Sequence, residues 1–496
     1  MISFNFKNGF FLFNSLEFIF FLVIVFLIYW VLPRKLKNIF LLIASYVFFA
    51  SWDWRFLGLL IISTLVDYFC GLKMHDAKNQ KLRRLYLVIS ILFNLSLLGF
   101  FKYFNFFLEN FVVLLNAIGF QANIASLKII LPLGISFYTF QKLSYTIDVY
   151  RKKIFPTKKI IDFSLFVAYF PQLIAGPIER ARNLIPRIQA KKLLRNIKFK
   201  EGAYLFIYGL FKKIVIADSV ALIVNKIFAL TNPTGAQVLI GIYAFAIQLY
   251  CDFSGYSNMA RGISRFFGIK LSVNFKVPFF SKDPSEFFKR WHRTLSSWIT
   301  DYVYMPLFFY LPKTFIKLIK NRWIKFYLSG GIAGFITMVI FGFWHGANWN
   351  FIFMGVFLFA SILIFKLIKI FMKKLSFIQN KFLKLISNLL IRLLALHAIF
   401  YALFLFRAQG LTQIVSFTKS LFFDITISNL FSVDYLYLYV AFLFLIIYEA
   451  IQHIKNDELL INKQNFYVQV IFYVILFFIY MEIGAITNIE FIYFLF

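Results

Sequence analysis

The chain has 496 residues, of which 61% are hydrophobic and only 15% charged. Soluble proteins carry about a quarter charged residues, so this composition excludes a soluble fold. The formal net charge of +32 does not mark a nucleic-acid binder. Its Lys and Arg residues sit mainly in short loops between apolar segments, with no Arg-rich arm and no zinc-finger spacing.

Apolar stretches of roughly twenty residues recur, each about long enough to cross a bilayer as a helix. The short alternating segments of a β-barrel are not seen. The first stretch, from about Ser15 to Leu32, lacks a basic leader and a small-residue cleavage site, so it reads as a spanning helix. Arg34, Lys35 and Lys37 follow it. Lys73, Lys78, Lys81, Arg83 and Arg84 follow the third stretch, and the loops at 151–159 and 180–200 are basic again. The connection from Ser51 to Arg55 is weakly charged. This alternation places the basic loops in the cytoplasm and the N-terminus outside. Counting in this way gives roughly eleven or twelve membrane helices. The expected fold class is all-α, a polytopic integral membrane protein with a single domain over 1–496. Cys70 and Cys251 form no disulfide framework or metal pattern and are expected to pack in membrane helices. The bias toward Phe, Ile, Lys and Asn suits an AT-rich bacterial genome.

From about Phe253 to Lys325 the segments shorten, and Pro, Lys, Arg and Trp become more frequent. Asp283-Pro284-Ser285-Glu286 reads as a helix start, with Asp283 as N-cap, Pro284 first in the helix and Glu286 as the reciprocal capping carboxylate. The helix predicted to follow puts Phe288, His292, Leu295 and Ile299 on one stripe and turns Lys289, Arg290 and Arg293 away. Such a helix suits the membrane interface or a funnel wall.

Of the five histidines, His75 lies in a basic loop and His453 near a helix end, where solvation accounts for both. His397 lies in an apolar stretch without polar company nearby and reads as a core residue. His345 differs. It closes an apolar segment in Phe343-Trp344-His345-Gly346-Ala347-Asn348-Trp349-Asn350. A titratable group at membrane depth is a functional candidate, because burial is costly. A desolvated imidazole is neutral and can accept a proton, as a general base must. Donation to a carbonyl of a neighbouring helix would account for it equally well. Gly346 and Ala347 leave room for a substrate or a neighbouring helix. His292 has Lys289, Arg290 and Arg293 around it, with Trp291 beside it. Those cations suit either a phosphate-bearing substrate or lipid phosphates. Asp252, in Tyr250-Cys251-Asp252-Phe253-Ser254-Gly255-Tyr256-Ser257, closes another apolar segment. It needs a partner such as a histidine, an Arg or a Tyr hydroxyl, unless it lies in the headgroup layer. No metal-ligand spacing, Walker loop, GxSxG elbow or dinucleotide fingerprint is present, so neither a metal nor a bound cofactor is expected.

At these residues the chain resembles the membrane-bound O-acyltransferase family. The likeness is strongest to the bacterial branch that holds the membrane subunits of alginate and peptidoglycan O-acetylation, with teichoic-acid D-alanylation more distant. It is carried in order by Leu131-Pro132-Leu133-Gly134-Ile135-Ser136-Phe137-Tyr138, by the block from Phe170 to Ile178, by Tyr250 to Ser257, by Trp291-His292-Arg293, by Trp344-His345-Gly346 and by Phe406-Arg407-Ala408. The resemblance implies helices around a central funnel or tunnel, with interfacial and re-entrant pieces and a catalytic core over about 130–410. It implies that His345 is the catalytic residue and that His292 lies near the same tunnel. The chain's last residues are Glu490 to Phe496. By similarity to the D-alanylation system, Tyr493 would carry the acyl group transiently; an aromatic interfacial anchor is the other reading.

The function expected on this basis is acetyl transfer across a bacterial cytoplasmic membrane. Acetyl-CoA is the donor substrate, bound by Lys289, Arg290 and Arg293, with Trp291, Trp344, Asn348, Asp252 and Tyr256 as further binding residues. Both termini are expected outside, where an O-acetyltransferase partner would pass the group to a glycan, peptidoglycan first and an alginate-like polymer second. A transporter without chemistry would show two related halves with broken helices, and no such repeat is seen. A scaffold for the partner enzyme would not need a buried histidine in a Gly-Ala turn.

Overall fold

The structure is a computed structural model that describes residues 12–123, 126–174, 176–374, 381–424, 436–483 and 491–492. Helices dominate the described residues, and no strand occurs among them. The chain divides into two compact units. The first comprises Met1–Tyr208 and Tyr256–Ser272, and the second Gly209–Gly255 and Val273–Phe496.

The first unit holds α1 (Leu16–Val31), α2 (Arg34–Asp53), α3 (Arg55–Asp76), α4 (Gln80–Leu98), α5 (Phe104–Ala117), α6 (Ile135–Tyr150), α7 (Ile160–Ala168), α8 (Phe170–Leu173) and α9 (Ala181–Gln189). Its helix starts follow from local chemistry. Ser15 accepts the Phe18 N–H to cap α1, and Asn79 accepts the Leu82 N–H to cap α4. Phe18, Phe21, Phe48 and Phe170 meet ring to ring in its core. Buried charge is paired there. Asp67 on α3 lies 3.7 Å from the Lys142 ammonium on α6 and accepts two hydrogen bonds from Asn94 on α4. In a membrane, such a bond ties helices that lipid would otherwise solvate equally well.

α10 (Phe199–Phe211) begins in the first unit and ends in the second, whereas α12 (Gly235–Phe266) starts in the second and ends in the first. Between them lie a π-helical turn, Lys212–Asp218, and α11 (Ser219–Phe228). The second unit continues with α13 (Pro284–Arg290), α14 (Arg293–Ile299), α15 (Met305–Tyr310), α16 (Arg322–His345), α17 (Trp349–Lys374), α18 (Lys381–Arg407), α19 (Leu411–Phe423), α20 (Leu436–Lys455) and α21 (Phe466–Ile483).

Among the described residues, seven helices are long and apolar enough to cross a membrane, and Leu16–Val31 and Phe466–Glu482 are shorter apolar helices. The chain is therefore a multi-pass integral membrane protein. Hydropathy alone counted more spans because some apolar stretches fold into short pieces: α6 has 16 residues, α7 has 9 and α10 has 13. In the second unit, α16 and α17 approach backbone to backbone. A Cβ on Gly342 would meet the Phe351 carbonyl, and one on Gly355 would meet the Met338 carbonyl. Small residues at both points let the two backbones touch.

Candidate active site

His345 is the last residue of α16 and is buried. Its ring meets Phe341 at 4.9 Å, Trp344 at 4.8 Å and Phe406 at 5.2 Å between centroids. Beside it lies a cavity of about 30 Å³, walled mostly by apolar side chains of α12, α13, α16, α17 and α18. Trp291, Phe288, Phe341 and Phe406 are among them. That volume holds little more than a water molecule or a group of one or two carbons. The helix ends at Gly346, where a Cβ would collide with the Phe351 ring. The room that Gly346 leaves is thus filled by the start of α17 rather than by substrate.

Phe406 is held against His345 from behind. The Asn350 amide donates to the carbonyls of Leu405, Phe406 and Ala408 at 3.2, 3.4 and 2.9 Å. These are carbonyls at the C-terminal end of α18, which need outside donors. Sequence reading singled out Asn348, but the structure leaves it exposed and buries Asn350.

The predicted start at Asp283 is present: Asp283 accepts the Glu286 N–H at 2.9 Å, and Pro284 opens the helix. Glu286 reaches back to the Lys282 N–H, also at 2.9 Å. The single stripe through Phe288, His292, Leu295 and Ile299 does not form. α13 stops at Arg290, Trp291 is extended, and His292 takes a left-handed conformation at φ 39° before α14 begins. Such a conformation is uncommon for a residue with a Cβ and persists only where neighbours hold it.

Asn274 is the neighbour that holds it. Its carbonyl accepts the Arg293 N–H at 2.9 Å, and its side-chain oxygen accepts the Thr294 hydroxyl at 2.9 Å. The same oxygen lies 3.0 Å from Nδ1 of His292. An amide oxygen only accepts, so Nδ1 carries the proton and Nε2 the lone pair. Burial pushes the His292 imidazole down to about 3, which keeps it neutral. Its ring meets Phe253 at 4.7 Å and Trp344 at 6.1 Å. Trp344 therefore contacts both His292 and His345. Nothing in the sequence around Asn274 distinguishes it from an ordinary loop amide.

The cations divide. Lys289 and Arg293 are exposed. Arg290 is half-buried and bound to Glu286 at 2.7 Å, so part of its charge is already matched. Trp291 is buried, stacks on Phe287 at 5.2 Å and lines the cavity of His345.

Asp252 does not close a segment: it lies within the continuous helix α12. Its partner is a lysine, which the sequence reading did not consider. The Lys213 ammonium lies 2.8 Å from Asp252 and 2.8 Å from Asp218. Lys213 and Asp218 are five residues apart, the spacing that a π turn brings together. Tyr256 belongs to the first unit, where its hydroxyl donates to Asn14 at 3.4 Å. His397 is exposed rather than in the core, and it does find polar company, since its Nε2 lies 2.6 Å from the Tyr243 hydroxyl. His75 and His453 are exposed, and both cysteines are buried, as expected. Tyr493 lies outside the described residues. No group of three or more His, Cys, Asp or Glu placed to hold a metal occurs among the described residues.

Residues 151–407 match the membrane-bound O-acyltransferase family. A probable alginate O-acetylase of Azotobacter vinelandii is 40% identical over 346 residues, which cover 69% of this chain and 66% of that protein. The peptidoglycan O-acetyltransferase of Helicobacter pylori is 37% identical over 380 residues, covering 70% and 68%. The teichoic acid D-alanyltransferase of Streptococcus thermophilus is 32% identical over 241 residues, covering 45% and 54%. The chain thus spans about two thirds of the length of the alginate and peptidoglycan relatives. The family match runs through both His292 and His345, and the chain belongs to the membrane-bound O-acyltransferase family.

Proposed function

We propose that this chain moves an acetyl group from cytoplasmic acetyl-CoA across the bacterial cytoplasmic membrane for O-acetylation of an extracytoplasmic glycan. The observation that carries this reading is His345, a buried imidazole set in the wall of a small and otherwise apolar cavity. A base in such a place can take a proton without competition from water. The volume beside it suits an acetyl group better than a long acyl chain. Exposed Lys289 and Arg293 supply charge for the phosphates of coenzyme A, with Arg290 shared with Glu286.

The transfer balances as follows. The Tyr493 phenol oxygen attacks the thioester carbonyl while His345 takes the phenol proton. The C–S bond breaks, the proton passes to the departing thiolate, and free coenzyme A leaves an acetyl-tyrosine ester. A glycan hydroxyl, presented by an extracytoplasmic O-acetyltransferase partner, then receives the acetyl group and returns the proton to the phenol. Both termini lie outside in this scheme. Peptidoglycan is the first acceptor proposed. An alginate-like polymer is the second, favoured by the 40% identity to an alginate O-acetylase.

The test is purified protein with radiolabelled acetyl-CoA. His345→Ala is expected to slow coenzyme A release by about 10²- to 10⁴-fold. Tyr493→Phe is expected to leave the chain unlabelled. Release and labelling at the parent rate in His345→Ala would refute the mechanism.

A further inference from the structure

Asp252 is a carboxylate buried in a membrane helix, and its two oxygens face different partners. Oδ1 lies 2.8 Å from the Lys213 ammonium, which Asp218 shares at the same distance. Oδ2 accepts a backbone hydrogen bond from Ile492 N–H at 2.8 Å. One ammonium divided between two carboxylates leaves Asp252 in need of a second donor, because an unsatisfied charged oxygen is expensive in this setting. The donor comes from 240 positions further along the chain. Phe491 and Ile492 are both buried, and the Phe491 ring packs on Phe253 at 5.9 Å. Phe253 in turn meets the His292 ring at 4.7 Å. Adjacent residues of α12 thus grip this short stretch, one by a hydrogen bond and one by a ring contact that continues to His292.

We propose that Asp252 is a positioning residue that docks the Phe491–Ile492 stretch on α12, through its Oδ2 and the Ile492 N–H. The proposal rests on the carrier reading of Tyr493, because the residue that follows the docked N–H is Tyr493. Its consequence for the reaction is reach: the phenol is tethered one residue from a fixed point instead of searching from a free tail. The ammonium of Lys213 serves the same end by fixing the carboxylate's place through its other oxygen.

Docking can be read without chemistry. In a chain carrying Cys70→Ala and Cys251→Ala, Phe491→Cys places a thiol at a buried position. A hydrophilic maleimide added to the full-length protein in detergent is expected to label it slowly. Asp252→Ala removes the acceptor, and Ile492→Pro removes the donor while leaving the Lys213–Asp252 pair in place. Each is expected to raise the labelling rate roughly ten- to a hundredfold, the weight of a hydrogen bond to a charged group. Ile492→Val keeps the N–H and Asp252→Asn keeps an acceptor oxygen, and both are expected to retain slow labelling. Equal rates in the parent and in Ile492→Pro overturn the proposal, and this arm holds even if Asp252→Ala fails to fold. Fast labelling of Asp252→Ala with slow labelling of Ile492→Pro overturns it too. Acetyl labelling of otherwise unsubstituted Asp252 and Ile492 variants separates the two readings. Protection that depends on Asp252, with no acetyl label on the parent chain, keeps the docking point and removes the carrier. Label on Tyr493 with no protection at position 491 keeps the carrier and removes the docking point.

Discussion

His292 shows how much one residue depends on its surroundings. It sits at φ 39°, fully buried, with one nitrogen committed to Asn274. Because burial lowers its folded value to about 3 from an ordinary 6.5, the unfolded chain binds a proton that the folded chain refuses between those limits. Stability from this group is complete above about 6.5 and is lost as pH falls toward about 3. Thermal unfolding in detergent, measured from neutral to acidic pH, should show a falling midpoint across that window and a flatter response in His292→Asn. Asparagine tolerates the left-handed conformation, so this variant tests charge with little added strain. Asn274→Ala removes the group that selects the tautomer. It is expected to lower kcat more than it raises KM for the proposed donor acetyl-CoA, because the cations proposed to bind it, at Lys289 and Arg293, are untouched. An unchanged kcat would show that the tautomer is immaterial.

At the scale of elements, α16 and α17 carry the site. Their contact depends on glycines at Gly342 and Gly355, each facing a carbonyl of the other helix. Gly342→Leu is expected to separate the helices and to cost about 1–3 kcal/mol by overpacking. The same change should lower activity, since His345 lies in the next turn. A melting midpoint equal to the parent's would count against this account. The elements also show what was legible in advance. Asp283 and Pro284 announced the start of α13, because capping is a local code. The end of α13 was not announced. It is imposed by Asn274, whose bonds to His292, Arg293 and Thr294 come from a separate loop. The burial of His345 was legible because it closes an apolar run, and the structure sets it beside an apolar cavity. Asn350 was not, because its role is to cap α18, a helix far away in sequence. Lys213 was missed for a similar reason: the pairing with Asp252 crosses between α12 and a π turn, and no periodic pattern encodes it.

For the molecule as a whole, the excess of Lys and Arg predicts its direction in the membrane. The loop containing Lys78, Lys81, Arg83 and Arg84 is expected in the cytoplasm, and the turn at Trp54 outside. Alkaline phosphatase fused after Trp54 should be active, and the same fusion after Lys78 inactive. The reverse pattern would invert the membrane and place Lys289 and Arg293 on the wrong side for the proposed cytoplasmic acetyl-CoA. The composition made the membrane assignment safe from the start, since it required no contact between distant residues. The number of spans was less safe, because short apolar pieces such as α7 look in sequence like parts of longer helices.

The π turn at Lys212–Asp218 has a further consequence, best seen as a matter of phase. A π turn holds about one residue more than an α turn, and each α-helical residue advances the chain by about 100°. Removing one residue between Lys213 and Asp218 would let the segment relax into regular α-helix. Because a π turn with its extra residue advances about as far in phase as an α turn without it, everything after the cut would keep roughly its present orientation. Lys213 and Asp218 would then stand four positions apart on a regular helix, where they still share a face. A single-residue deletion here is thus expected to act like taking up one slack link, whereas the same deletion within the regular helix of α12 would turn everything after it by about 100°.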